Sequence, residues 1–194
     1  MSDDPSPSII DRETDTELPG LTLDFDLRDG GLGDAGHLAA VIGPAVVAAL
    51  RASAPKVAAP MDLSVIVTGA EESRTLNREY RDRDKPTNVL SFPATDPDEL
   101  DDAFRFALAG GPPAMLGDLV LCVPVVLQEA HLQGKPADHH VAHLCVHGVL
   151  HLMGHDHIED TQAEEMEALE REILAGMGIP DPYLADANMD EDDD

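Results

Sequence analysis

His147 and His151 stand four residues apart in a stretch whose apolar spacing predicts a helix, so their imidazoles lie one above the other on a single face. Two neutral imidazoles aimed at one point make a clip for a divalent metal ion. Three residues beyond His151, Gly154 supplies a chain reversal that can return His157 to the same point as a third ligand. Three protein ligands and an open fourth position are what a catalytic zinc needs, whereas structural sites are usually closed by four. The expectation is therefore one zinc ion per chain, held by His147, His151 and His157. Imidazole donors also suit nickel and copper. His155 competes for the third place, and its distance from Gly154 favours His157 instead.

The spacing HxxxHxxGxxH coincides with the ligand positions of the zinc-protease pattern H-E-x-x-H-x-x-G-x-x-H. In that pattern the residue after the first ligand is Glu, the general base that deprotonates the attacking water. Here it is Gly148. The metal clip is kept and the protease base is missing, and the bare backbone at Gly148 reads as room for a bulky substrate. His139 and His143 share the face of His147 and His151, but His139 is roughly 18 Å from His151 at 1.5 Å per residue and cannot share its metal. His37, His131 and His140 read as helix-surface or helix-end residues.

The elements that must position these groups follow from periodicity. Leu21 to Leu27, Asp62 to Gly69, Asn88 to Phe92 and Leu116 to Cys122 read as strands. His37 to Leu50, Ala70 to Arg81, Pro124 to Gly134, Ala137 to Met153 and Thr161 to Gly176 read as helices. Gly43-Pro44 interrupts the first of these, and Leu76 and Tyr80 mark the inner face of the second. Thr161-Gln-Ala-Glu164 opens the last helix as a capping box, with Met166, Leu169, Ile173 and Leu174 turned inward and an acidic outer face. Ala94 to Pro113 reads as an exposed acidic and Gly/Pro-rich excursion. The class is α+β: a small mixed four-stranded sheet packed with about five helices in a single domain over residues 20–186. Residues 1–19 read as a disordered acidic leader and 187–194 as a disordered acidic tail.

With 194 residues and 43% hydrophobic content the chain can fill one core, which must be aliphatic because aromatics are only 3%. Cys122 and Cys145 sit in apolar runs without CxxC pairing and read as buried free thiols. Gly31-Leu-Gly33-Asp-Ala-Gly36 satisfies GxGxxG, but Gly43-Pro44 in the following helix and the absence of a clear acidic partner favour a plain glycine-rich turn. No stretch approaches the roughly 20 apolar residues of a membrane span, and Met1-Ser-Asp-Asp-Pro5 lacks the basic and apolar regions of a signal peptide. A cytoplasmic protein with no membrane partner is expected. The formal net charge of −27 disfavours general binding of polyanions such as DNA. Arg74, Arg78, Arg81, Arg83 and Lys85 fall in one short strip, and a polyanion that binds must bind there.

His147 to His157 with Ile158-Glu-Asp160, Tyr80-Arg-Asp-Arg-Asp-Lys-Pro-Thr-Asn-Val-Leu-Ser-Phe-Pro93 and Leu116-Gly-Asp-Leu-Val120, in that set, resemble the YbeY family of bacterial endoribonucleases. The resemblance spans roughly residues 60–185. It implies a zinc-dependent, single-strand-specific endoribonuclease acting on ribosomal RNA, notably at the 3′ end of 16S rRNA, and in ribosome quality control. It implies ribosomal subunits or associated proteins as partners. The family's metal ligands fall on His147, His151 and His157 and its functional arginine on Arg81, which would stabilise negative charge on a phosphoryl group; Arg81 and Lys85 would contact the RNA. Charge alone would make Arg81 a salt-bridge partner of Asp82 or Asp84. Asp156 reads either as a second-shell support for a ligand or as a cap of the turn. A zinc hydrolase of another substrate class, or a ribosome-assembly factor without turnover, are the competing readings.

Overall fold

The computed structural model describes residues 9–14, 18, 20–53, 59–155 and 159–184. All four expected strands form, as β2 (Leu21–Leu27), β3 (Met61–Thr68), β4 (Val89–Pro93) and β5 (Ala114–Cys122). A further strand, β1 (Ile9–Thr14), lies inside the stretch read as a leader and pairs antiparallel with β2. The order across the sheet is β1-β2-β3-β5-β4, with β2, β3 and β5 mutually parallel and β4 antiparallel on β5 at one edge. The class is α+β with a mixed open sheet, as the patterning predicts. The acidic tail at 187–194 lies outside the described residues.

Among the described residues six α-helices accompany the sheet: α1 (Ala35–Ser53), α2 (Ala70–Arg81), α3 (Leu100–Leu108), α4 (Val123–Leu132), α5 (Ala137–Leu152) and α6 (Asp160–Gly176). The sixth, α3, replaces part of the expected excursion between Ala94 and Pro113. Its signal is a helical spacing of four and then three residues, Leu100, Phe104 and Ala107, all buried, beneath an acidic surface that masks it. α1 is not interrupted at Pro44. Gly43, which precedes it, has no Cβ to collide with the proline ring, so the turn stays helical. The result is a 19-residue apolar helix, long enough by length and composition to cross a bilayer, where the sequence reading finds no such stretch. Here Leu38, Ile42, Ala45, Val46 and Leu50 are buried and α1 packs on α5 and β2.

Alternation in β2 buries Leu21, Leu23 and Phe25, and in β3 Met61, Leu63, Val65 and Val67, while β5, flanked by β3 and β4, is buried almost throughout. The core is aliphatic apart from Phe25 and Phe104, as the low aromatic content requires. α5 lies at its centre, in contact with α1, α4, α6, β4 and β5. Cys122 and Cys145 are free and buried. The glycine-rich 31–36 segment is a turn in which Asp34 caps α1, its Oδ1 accepting from His37 N at 2.9 Å.

Candidate active site

Helix α5 carries His147 and His151 one turn apart, and their rings lie 4.6 Å centroid to centroid at 84°. The Nδ1 of His147 faces Glu170 Oε1 at 2.8 Å, and the Nδ1 of His151 faces the carbonyl of His155 at 3.0 Å. An ionised carboxylate and a carbonyl can only accept, so both Nδ1 atoms donate, and in the neutral tautomer that a metal ligand must adopt the lone pair of each ring is on Nε2. The two Nε2 atoms are 3.1 Å apart. Two zinc–nitrogen bonds of about 2.0–2.1 Å at a tetrahedral angle set their nitrogens roughly 3.3 Å apart, so the pair fits a shared zinc ion.

His157 and Asp156 lie outside the described residues, and among those described no group of three histidine, cysteine or acidic side chains surrounds one metal position. The turn leading towards His157 is present. Gly154 has φ of +90°, and an added Cβ there would lie 2.8 Å from Pro97 Cβ, so both backbone and space select glycine. His155 contributes its backbone carbonyl to orient His151, and the residue borders the same cleft.

That cleft, of about 800 Å³, is lined by His147, His151, Arg81, Arg83, Asn88 and Ser91 among others. Arg81 therefore shares a cavity with the histidine pair from the far end of α2. Its Nη2 donates to the Ser91 carbonyl at 3.3 Å, and among the described residues it forms no ion pair with Asp82 or Asp84. Asp84 is engaged by Arg74 through two bonds of 2.7 Å, with Arg78 at 3.9 Å, and these contacts hold the Asp84 carboxyl below its ordinary range. Lys85 is not among the lining residues; Arg83 joins Arg81 there instead. The reason lies in α2, whose inner face is not Leu76 and Tyr80 but the buried polar pair Ser73 and Asn77. Ser73 Oγ donates to Thr87 O at 2.9 Å, and Asn77 Nδ2 donates to Lys85 O at 2.7 Å. These bonds tie the backbone of the 82–88 loop to the helix and fix which side chains border the cleft. Tyr80 is exposed and packs edge-on to Phe92, with ring centroids 5.0 Å apart.

Gly148 faces the sheet rather than the cleft. An added Cβ would lie 2.7 Å from Leu119 Cδ2 and 3.1 Å from Ser91 Oγ. The space there admits the close approach of α5 to β4 and β5, not a substrate. His140 is likewise not a surface residue: it is 4% exposed, with Nε2 2.8 Å from Glu129 Oε2, which also accepts from Asn88 Nδ2 at 2.9 Å. Burial works against the Glu129 charge, and the His140 and Asn88 bonds outweigh it, so the carboxyl titrates below its usual range.

Glu170 is the residue the sequence reading misses. The outer face of α6 is acidic, but Glu170 is fully buried beside Met166, Ile173 and Leu174. A charge recurring in register with an apolar stripe was the available signal. Its Oε2 accepts from His143 Nε2 at 3.0 Å and from the Tyr183 hydroxyl, while its Oε1 faces His147. Burial favours the neutral acid, but the bonds from His143, His147 and Tyr183 win and hold the carboxyl at about 2. Burial first, and then the Glu170 charge, push the Tyr183 hydroxyl up. The N-terminus of α6 is closed by Glu159 and Gln162, not by Thr161 and Glu164.

The sequence matches the family described as endoribonuclease YbeY over residues 39–178. It is similar to three proteins named endoribonuclease YbeY. That of Stutzerimonas stutzeri is 55% identical over 126 residues, 65% of this chain and 72% of the relative. That of Chromohalobacter salexigens is 56% identical over 122 residues, 63% and 72% respectively. That of Pseudomonas putida is 54% identical over 130 residues, 67% and 76%. The matched span takes in α2, the 82–88 loop, β4 and α5, the elements that carry most of the cleft lining, and the chain belongs to the YbeY endoribonuclease family.

Proposed function

We propose that the protein is a zinc-dependent, single-strand-specific endoribonuclease of the cytoplasm, acting on ribosomal RNA in 3′-end maturation of 16S rRNA and in ribosome quality control. Membership of an endoribonuclease family makes it an RNA-cleaving hydrolase. The finer reading is carried by one observation: Arg81 and Arg83 border the same cleft as the converging Nε2 atoms of His147 and His151.

His147, His151 and His157 would hold the zinc, which supplies Lewis-acid polarisation of a phosphoryl oxygen and a more acidic bound water. The chain's own groups bind and orient. Arg81 spends one N–H on the Ser91 carbonyl and keeps its remaining donors for two phosphate oxygens, where it offsets negative charge that grows in the transition state. Arg83 extends the positive lining along the cleft, and Lys85 serves as an outer contact. The rest of the molecule is acidic and repels a polyanion. Short unpaired segments that reach the cleft are therefore favoured over long duplexes, with ribosomal subunits or associated proteins delivering the substrate. Gly148 pressed against Leu119 supports the exclusion of a protease mechanism, because no base can stand there.

The test is cleavage of an unstructured RNA and of casein by highly purified protein loaded with zinc, beside His147→Ala and Arg81→Ala. RNA cleavage lost in both variants, with casein intact, is the expected outcome. Undiminished RNA cleavage by either variant removes that residue's role, and a zinc-loaded wild type that cleaves no RNA favours an assembly factor without turnover.

A further inference from the structure

Glu170 offers only acceptor atoms, and its oxygens face His147, His143 and Tyr183. Because Oε1 accepts at 2.8 Å from His147 Nδ1, the proton of a neutral His147 is held on Nδ1 and its Nε2 is left as the atom facing His151. A leucine or methionine would pack the same apolar stripe without desolvating a charge, so core packing gives no reason for a carboxylate there.

Oε2 is itself held, and by a residue beyond the span matched by the family, 39–178. Tyr183 donates its hydroxyl to Glu170 and stands edge-on to the His143 ring at 5.6 Å. The guanidinium of Arg171 lies 5.4 Å from the Tyr183 ring centroid. The segment that leads into that contact is held: Lys135 Nζ donates to the Pro182 carbonyl, and Tyr183 N donates to Asp181 Oδ1 at 2.9 Å.

We propose that Glu170 is a positioning residue that fixes the ring and tautomer of His147 for metal binding, and that Tyr183 completes the clamp by holding the second oxygen of Glu170. This rests on the metal reading given above. Carboxylates that accept from the far nitrogen of a ligand histidine raise its basicity and fix its orientation, and losing them weakens metal binding on the order of 10- to 100-fold.

The experiment uses the full chain and two readouts: zinc affinity by competition with a chromophoric chelator, and the His147 tautomer in metal-free protein by long-range proton–nitrogen NMR. Glu170→Gln is expected to weaken zinc binding on the order of 10- to 100-fold and to lose the uniform Nδ1–H tautomer. Tyr183→Phe, which removes one hydroxyl, is expected to weaken zinc binding by about tenfold, the lower end for a hydrogen bond to a charged group. Leu169→Ala, a packing change on the same helix, is expected to lower the unfolding midpoint and leave zinc affinity unchanged. Wild-type affinity in Glu170→Gln, or an equal loss in Leu169→Ala, overturns the proposal. If Glu170→Gln does not fold, wild-type affinity in Tyr183→Phe overturns the clamp. A wild type that binds no zinc overturns the metal reading instead; the Glu170 role then stands if the tautomer changes in Glu170→Gln and falls if it does not.

Discussion

A methyl group at Gly148 probes the closest approach of α5 to the sheet. The added Cβ lies 2.7 Å from Leu119 Cδ2 and 3.1 Å from Ser91 Oγ. Leu119 is fully buried, so its side chain would have to shift among packed neighbours. Two effects oppose each other. Alanine in place of glycine favours a helix interior by about 0.8–1 kcal/mol, whereas forcing extra volume into a packed core costs about 1–3 kcal/mol. The difference is a net loss of about 1 kcal/mol for Gly148→Ala, or about 2–4 °C in Tm for a chain of this size. Urea unfolding followed by circular dichroism should show a lower midpoint with an unchanged slope. Gly148→Glu places a carboxylate against Leu119, so it should be destabilised by several kcal/mol more and hydrolyse no casein. A Gly148→Ala protein more stable than wild type, or casein hydrolysis by Gly148→Glu, would refute the assignment of this position to the sheet.

Arg81→Ala should lower RNA cleavage by about 100- to 1000-fold with zinc content unchanged, as expected for a lost electrostatic stabiliser. Lys85→Ala should lower cleavage far less and reduce the log–log salt slope of RNA binding by no more than about one, which steady-state cleavage and fluorescence anisotropy would read. Glu170 is held at about 2 against an ordinary 4.5. A depressed folded value means its stabilisation is complete above pH 4.5 and is lost as pH falls towards 2, by on the order of 3 kcal/mol at most. The acid limb of the stability profile should therefore be steeper in wild type than in Glu170→Gln. Burial pushes the Cys145 thiol up to about 12, so iodoacetamide at pH 8 should label Cys145 only after denaturation.

The strands and the two-histidine face were legible because both rest on short periods: alternation fixed β2 and β3, and a spacing of four placed His147 over His151. Gly154 was legible for the same local reason, since a reversal needs positive φ. What escaped depends on partners distant in sequence. Glu170 reads as one more acid on an acidic helix until α5 is laid beside α6, and Asn77 reads as surface until the 82–88 backbone returns to it. Gly148 was misread because the face opposite the cleft is invisible without β5, and Arg83 was overlooked as a lining residue because only the tie of the Lys85 backbone to Asn77 brings it to the cleft. Pro44 shows the reverse error: a strong local rule for breaking a helix gives way when the preceding residue is glycine and the surrounding core is continuous.

Synthesis proceeds from the N-terminus, which gives the contact between Tyr183 and Glu170 a meaning in time. His147 and His151 leave the ribosome first, Glu170 follows, and Tyr183 emerges last. A growing chain thus carries the imidazoles before it carries the groups that orient His147. Until residue 183 is free to fold back, Glu170 lacks the Tyr183 hydroxyl, so the contacts behind His147 close only when nearly all of the described fold has been made.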